Sequence, residues 1–348
     1  MTLADGIAAV LWLGTMIYAI FGGADFGAGV WDLLAGRGRG GVAQRELIDR
    51  TVGPVWEANH TWLIFDLVVL WTAFPGAFAA ITSTLYLPLA LAAFGIVLRG
   101  SGFAFRKVSL RLTGRRAFGL AFALSSVVTP FFLGTVLGAI ASGRVPAAGG
   151  GDPIGSWLNP TSVMVGLLAV AAGAYIAGAF LTADARRLAP TLVDAFRRRT
   201  IGAGVVAGGL AIAGLLVLRT DAPSLLADLT GPGLPFVAGS VVAGTVSLGL
   251  CFFAGGRWTR GFAVAAVATV VLGWGVAQYP LLLPPDLTIA AAAAPEGTLM
   301  ALMVITIAAA LIIGPSLALL FWLHQRSRLD SHSEGDPRVR PESSPPRP

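Results

Sequence analysis

The feature that most constrains this chain is a series of long apolar stretches separated by short polar connections. A helix needs about 20 mostly apolar residues to cross the hydrocarbon core of a bilayer. Nine stretches are suitable, namely 6–34, 52–74, 79–98, 117–141, 161–183, 201–218, 234–255, 260–281 and 298–323. Hydrophobic residues make up 55% of the chain and charged residues 12%, too little polar surface for a water-soluble globule. The pattern predicts an all-α polytopic integral membrane protein of about nine transmembrane helices.

The basic residues are distributed unequally between the connections. If successive connections alternate between two sides, 22 of the 24 Lys and Arg residues lie on one side, and Arg144 and Arg219 lie on the other. The larger group is Arg37, Arg39, Arg45, Arg50, Arg99, Arg106, Lys107, Arg111, Arg115, Arg116, Arg186, Arg187, Arg197, Arg198, Arg199, Arg257, Arg260 and the arginines of the C-terminal tail. Cytoplasmic loops are enriched in Lys and Arg. We therefore predict an outside N-terminus and a cytoplasmic C-terminus, and we interpret the net charge of +6 as a topology signal rather than as a nucleic-acid surface.

The two ends of the chain differ in character. The first apolar stretch lacks a basic n-region and a small-residue cleavage site, which predicts a retained helix rather than a signal peptide. Residues 326–348 contain five prolines and mixed charge with almost no large apolar residue, which predicts a disordered cytoplasmic tail. The predicted domains are therefore a transmembrane domain over 1–325 and a tail over 326–348.

Four ionisable residues interrupt the first two predicted helices: Asp25, Glu57, His60 and Asp66. Each needs a partner, water or a neutral form, because a charge at mid-membrane costs at least ~2.5–3.5 kcal/mol. At a rise of ~1.5 Å per residue, Glu57 lies ~7 Å inside the cytoplasmic boundary, and Asp25 and His60 lie ~13 Å inside it. Three titratable groups therefore cluster in the cytoplasmic half.

These residues are candidates for a proton path or for polar contacts between helices, and the sequence leaves both open. Glu57 and His60 lie about one turn apart on one helix face, where a proton can pass between them. Asp25 lies in a glycine-rich stretch from which a carboxyl can reach a neighbouring helix. Asp66 is the weaker candidate, since it faces roughly the opposite side of the helix from Glu57.

The sequence offers few ligands for a metal or a haem. His324 and His332 lie at or beyond the end of the last predicted helix, so His60 has no second membrane-embedded histidine for bis-histidine ligation. A single cysteine, Cys251, provides neither a disulfide nor a thiolate metal site, and we expect it to be a small buried residue. We predict no metal site and no catalytic residue in this chain, and leave cofactor binding unknown.

Two motifs point to a family. Gly23–Gly29 (GADFGAG) and Gly53–Leu63 (GPVWEANHTWL) resemble the first- and second-helix signatures of subunit II of cytochrome bd-type quinol oxidases. The likeness continues through AFP at 73–75, LRGSGFAFR at 98–106, LNP at 158–160, QYP at 278–280 and PPDLTI at 284–289.

The resemblance implies a role in a quinol:oxygen oxidoreductase of the bacterial cytoplasmic (inner) membrane. It implies that a partner subunit I carries haems b and d, or b-type haems only, and that quinol is the substrate. It further implies that this chain supports subunit I and supplies a cytoplasmic proton path, with small single-helix subunits, lipid and quinone as possible further partners. In that family the position of Glu57 is a leading entrance to the path, and Asp25 matches the first-helix acid. Two family acids are replaced here, by Gly22 and Ala104.

Two other functions stay open from the residues alone. A proton-coupled secondary transporter would use the intramembrane acids and glycine-rich helices for a midplane substrate site, with broken helices in both halves. A structural scaffold would use the buried acids only to hold helices together.

Overall fold

A computed structural model describes residues 2–36, 38–108, 112–253 and 256–325. Within these ranges the description excludes the side chains of 52–58, 103–104, 106–108, 112–117, 253, 317–318 and 320–325. The helices are α1 Leu3–Leu33, α2 Arg39–Ala73, α3 Pro75–Thr84, α4 Tyr86–Val108, α5 Leu112–Ala141, α6 Pro160–Leu188, α7 Val193–Asp221, α8 Pro223–Thr230, α9 Leu234–Phe253, α10 Arg257–Gln278, α11 Ile289–Ala292 and α12 Glu296–Gln325. The described residues fall into two compact units, divided between Ala294 and Pro295. The predicted tail, 326–348, lies outside the described residues.

The described helices confirm the all-α polytopic membrane class. Seven of them are long and apolar enough to cross a membrane. The end of α2 and the whole of α3 form an apolar pair bent by 117°, which raises the number to eight if the pair is one span. The apolar part of α4, Tyr86–Gly102, is shorter. Each of the nine predicted stretches overlaps a described helix.

The third predicted span, 79–98, is wrong as a single helix. The chain breaks at Leu85, between α3 and α4. Pro88 explains the break, because proline has no N–H to donate to the carbonyl of Thr84 and its ring would clash with that carbonyl in a continuous helix. Pro75 acts in the same way at the start of α3, where it restricts the preceding Phe74 to a non-helical conformation (φ −135°, ψ 58°).

The predicted connection between the last two spans contains regular structure. Strands β1 (Leu281–Leu283) and β2 (Leu287–Thr288) pair antiparallel, directly after α10. The side chain of Gln278 donates a hydrogen bond to the Leu282 carbonyl at 2.8 Å, which fixes the hairpin to the end of α10.

Ion pairs and hydrogen bonds at the helix ends agree with the predicted alternation of connections. Arg144, after α5, pairs with Asp221 at the end of α7 at 2.6 Å. At the opposite end of the unit, Arg199 near the start of α7 donates to the carbonyl of Leu34, just after α1, at 3.1 Å. The ends of α5 and α7 therefore lie on one side, and the end of α1 lies on the other. That the second side is cytoplasmic stays a prediction.

Helix α1 packs closely against α6 through glycine. A Cβ atom on Gly27 would collide with the carbonyl of Gly173, and one on Gly173 would lie 3.0 Å from the Gly23 carbonyl. Trp31 donates its indole N–H to the Ala174 carbonyl at 2.9 Å. Lipid supplies no hydrophobic drive for helix association, so this close backbone approach and the interhelical hydrogen bond hold α1 against α6.

We expect Gly27→Ala to destabilise the protein, because its methyl group must displace the α6 backbone, an overpacking cost of about 1–3 kcal/mol. The matched control is Gly208→Ala on α7, where a Cβ meets nothing within 4 Å. There the better helix propensity of alanine favours the folded state by up to about 1 kcal/mol. Thermal unfolding of the purified protein in detergent measures both. Equal midpoints for the two variants would contradict the close α1–α6 contact.

Candidate functional site

The centre of the site is Asp25, a fully buried residue of α1. Its Oδ2 atom accepts from Arg99 Nε at 3.1 Å and from Asn59 Nδ2 at 3.2 Å. Its Oδ1 atom accepts from Arg99 Nη2 at 2.5 Å, and the same nitrogen donates to the Asp25 backbone carbonyl at 2.7 Å. Both carboxylate oxygens are thus occupied by donors from α2 and α4.

Arg99 of α4 is also fully buried. Besides its bonds to Asp25, it donates from Nη1 to the hydroxyl of Ser126 on α5 at 2.5 Å. The guanidinium lies over the rings of Phe26 and Phe122, 4.9 and 4.3 Å from their centroids. Aromatic faces attract a cation where water is excluded. The charge is therefore compensated by one carboxylate, one hydroxyl and two rings.

The prediction that Arg99 belongs to a cytoplasmic connection is wrong. Helix α4 continues to Val108, so Arg99 lies within the helix rather than beyond it. Hydropathy treats an arginine as a boundary because an unpaired guanidinium is costly in lipid. Here the buried carboxylate of Asp25 compensates the guanidinium charge, so Arg99 can lie inside the helix.

The glycine-rich motif of α1 leaves room for this pair. A Cβ atom on Gly29 would collide with the Ser126 hydroxyl and lie 2.9 Å from Arg99 Nη1. On α4, a Cβ atom on Gly95 would collide with the hydroxyl of Thr129. The motif therefore serves both the helix packing at Gly27 and the ion pair at Gly29.

The other predicted site residues lie on α2. The side chain of Glu57 lies outside the described residues, so its pairing with His60 stays a prediction. His60 is half-buried, next to the fully buried Asn59. The side chains described in the structure contain no group of three His, Cys, Asp or Glu residues suited to a metal, and their one histidine does not make a bis-histidine haem site.

Asp66, on α2, contacts α1 near Gly14 and not near Asp25. A Cβ atom on Gly14 would collide with Asp66 Oδ1, so the carboxyl lies directly on the α1 backbone. The phenol ring of Tyr18 lies at the Asn59 end of this interface, with its Cε2 atom 3.4 Å from a Cβ atom built on Gly22. The structure therefore brings Asp25 and Asp66 to one helix interface. The sequence pointed to neither Asn59, Ser126 nor Tyr18 as neighbours of these acids.

The sequence matches the family described as "Cytochrome bd terminal oxidase subunit II" over residues 3–324. This chain belongs to that family. The fold is also similar to a chain in the structure of bd oxidase from Geobacillus thermodenitrificans, with a TM-score of 0.79 and 28% identity. That likeness covers 93% of this chain and 99% of the Geobacillus chain.

Three relatives show how far the sequence likeness extends. Cytochrome bd ubiquinol oxidase subunit 2 of Bacillus subtilis (strain 168) is 28% identical over 130 residues, 37% of this chain and 37% of its own length. Cytochrome bd-I ubiquinol oxidase subunit 2 of Escherichia coli (strain K12) is 26% identical over 36% of this chain and 32% of its own length. These two matches thus span about a third of each relative. The putative cytochrome bd menaquinol oxidase subunit II of Bacillus subtilis is 20% identical over 90% of this chain and 93% of its own length.

We expect Asp25 and Arg99 to be energetically coupled. Arg99→Met and Asp25→Asn each leave the partner charge buried without compensation, which costs about 3–5 kcal/mol in comparable buried pairs. The double variant removes both charges and should recover much of that loss. A double-mutant cycle of unfolding free energies measures the coupling. Strictly additive losses would show that the two side chains do not stabilise one another.

Proposed function

We propose that this chain is the haem-free subunit II of a bd-type terminal oxidase in a bacterial cytoplasmic membrane. In this proposal the complex transfers electrons from quinol to oxygen and forms water, and subunit I carries the haems, b and d or b-type only. The observation that carries the proposal is the likeness to a bd oxidase chain along 93% of this sequence. In this proposal the chain acts only as part of the complex and is not catalytic alone.

The proposed role of this subunit is to conduct protons from the cytoplasm. Oxygen reduction consumes protons, and a haem site within the membrane can receive them only through polar groups or water. Glu57 lies nearest the cytoplasmic boundary and is the proposed entrance. His60 lies one turn deeper on the same face and is the proposed relay.

Asp25 has a different part in this proposal. Its oxygens accept three side-chain hydrogen bonds, two from Arg99 and one from Asn59. Carboxylate oxygens that already accept hydrogen bonds from protein groups are poorly placed to take up a further proton. We therefore assign Asp25 to the positioning of Asn59 and Arg99 beside the path, and the passage of protons to Glu57 and His60.

The second role is to support subunit I. Large apolar side chains are exposed along the described faces of α7 and α9, including Val205, Ile212 and Val241. Such a surface requires lipid or another apolar protein. We propose that subunit I covers this surface, with lipid, quinone and small single-helix subunits at its margins.

The transporter hypothesis has less support. It requires discontinuous helices in both halves of the chain, and among the described residues one pair, α2 and α3, is bent in this way. Asp25, a potential substrate ligand, is occupied by Arg99 instead.

An affinity tag on this chain allows the first test, in native membranes. We expect haem absorption bands and a second large subunit to co-purify, and the preparation to consume oxygen when quinol is added. A colourless chain that purifies intact with no haem-bearing partner would refute the oxidase proposal.

Glu57→Gln should lower quinol-driven oxygen consumption per assembled complex by about tenfold or more, since positioned proton-transfer groups contribute on the order of 10²–10⁴ in rate. Haem content and subunit ratio should be unchanged. Glu46→Gln is the matched control, because Glu46 is an exposed acid on the same helix. The scaffold hypothesis makes the opposite prediction for Glu57→Gln, namely reduced assembly with unchanged turnover per complex.

A further inference from the structure

One face of α1 carries a stripe that meets α2. Gly14, Tyr18, Gly22 and Asp25 recur every three or four residues, so they lie on the same side of the helix. Asp66 Oδ1 lies against Gly14 at one end of this stripe. Toward the other end, a Cβ atom on Gly22 would lie 2.9 Å from Asn59 Oδ1.

Three oxygen atoms along this interface have no hydrogen-bond partner in the described part of the chain. They are Asn59 Oδ1, the Tyr18 hydroxyl and Asp66 Oδ1, and all three are buried at the atomic level. Asn59 as a whole is 1% exposed. Buried polar atoms are almost always satisfied, by protein or by ordered water. Three such atoms along one interface indicate a place for bound water.

The spacing along the stripe suits water bridges. The Tyr18 ring lies at the Asn59 end of the stripe, because its Cε2 atom is 3.4 Å from a Cβ atom built on Gly22, which Asn59 Oδ1 also approaches. Gly14, where Asp66 lies, is eight residues away, or ~12 Å along the axis. Several water molecules in a row, at roughly 2.8 Å per hydrogen bond, can bridge the distance from the phenol to Asp66. Because a phenol both donates and accepts, Tyr18 can join these water bridges to the water at Asn59 Oδ1.

The stripe becomes apolar beyond Asp66, toward the N-terminus of α1. Ile7 and Leu11 on α1 and Val69 and Ala73 on α2 are buried apolar residues. Such residues offer no partner to a water molecule, and an apolar site stays dry. The polar stripe therefore ends at Asp66 and does not continue across the membrane.

From this geometry we infer that Asp66 is a further proton-binding site, connected to the Asn59 end of the stripe by the Tyr18 hydroxyl and bound water. The carboxylate takes up one proton that arrives along the water bridges and becomes a carboxylic acid, and it returns the proton by the same route. Because the stripe is closed beyond Asp66, this site stores protons and does not leak them. Its use in turnover rests on the proposed oxidase function, whereas its occupancy by a proton does not.

Infrared spectroscopy of the intact, resting complex tests the inference without quinol or oxygen. After transfer from H₂O to D₂O, the wild-type complex should show a carboxylic acid C=O band that shifts to lower frequency. Asp66→Asn should abolish this band, and Asp66→Glu should keep it at an altered frequency. Asp194→Asn is the control, because that side chain is 72% exposed on the surface, and it should leave the band intact. Tyr18→Phe keeps the ring and removes the hydroxyl. It should slow the hydrogen–deuterium exchange of this carboxylic acid severalfold.

The outcomes separate this inference from the oxidase proposal. A band that persists in Asp66→Asn shows that Asp66 holds no proton, whatever the turnover of the complex. Unchanged exchange in Tyr18→Phe overturns the water link through the phenol. If Asp66→Asn does not assemble, an unaltered band in Asp66→Glu overturns the assignment equally. Absence of oxidase activity in wild type refutes the proposed function and leaves the infrared result as it stands.

Discussion

The structure of the first unit depends on the buried ion pair between Asp25 and Arg99. Moving a carboxylate or a guanidinium from water into a low-dielectric interior is far more costly than most contacts are favourable, so neither charge can lie there alone. Mutual attraction offsets the cost only if the remaining donors and acceptors are also satisfied. Asn59 and Ser126 satisfy them, from α2 and α5. The pair thus requires four helices to meet at one point, and its main effect is to specify that arrangement rather than to add net stability.

Glycine allows these helices to approach closely enough. Helix α1 lies against α6 at Gly27, against α5 at Gly29 and against α2 at Gly14 and Gly22. In lipid the association of helices depends on packing and hydrogen bonds, because apolar side chains gain little by leaving lipid for protein. A helix with glycine on several faces can therefore be the shared centre of a bundle. Helix α1 has that position, and it also carries Asp25.

The sequence was sufficient to predict the membrane class, the helical segments and the family, because each depends on local composition or on short motifs. It failed where the cause is a contact between distant residues. Arg99 reads as a helix boundary unless its partner is known, and that partner lies 74 positions earlier. The need of Asp25 for a partner on another helix was visible, but the identity of the partner was not. The break at Leu85 was predictable in principle, since Pro88 removes the hydrogen bond to Thr84. Hydropathy alone does not register it.

The carboxyl groups at the two ends of the polar stripe on α1 differ in how their oxygen atoms are satisfied. At Asp25 the carboxylate oxygens are filled by protein donors, so the charge is held in place. At Tyr18 and Asp66 oxygen atoms are buried but not filled by described protein groups. Only the second kind of site gains from a water molecule or a proton, because there the incoming group makes a bond that the protein does not already provide. Proton conduction by this subunit, as we propose it, uses both kinds of site. The fixed pair holds the helices at a constant spacing, and in that proposal the unfilled oxygens along the same interface are the places where a proton resides.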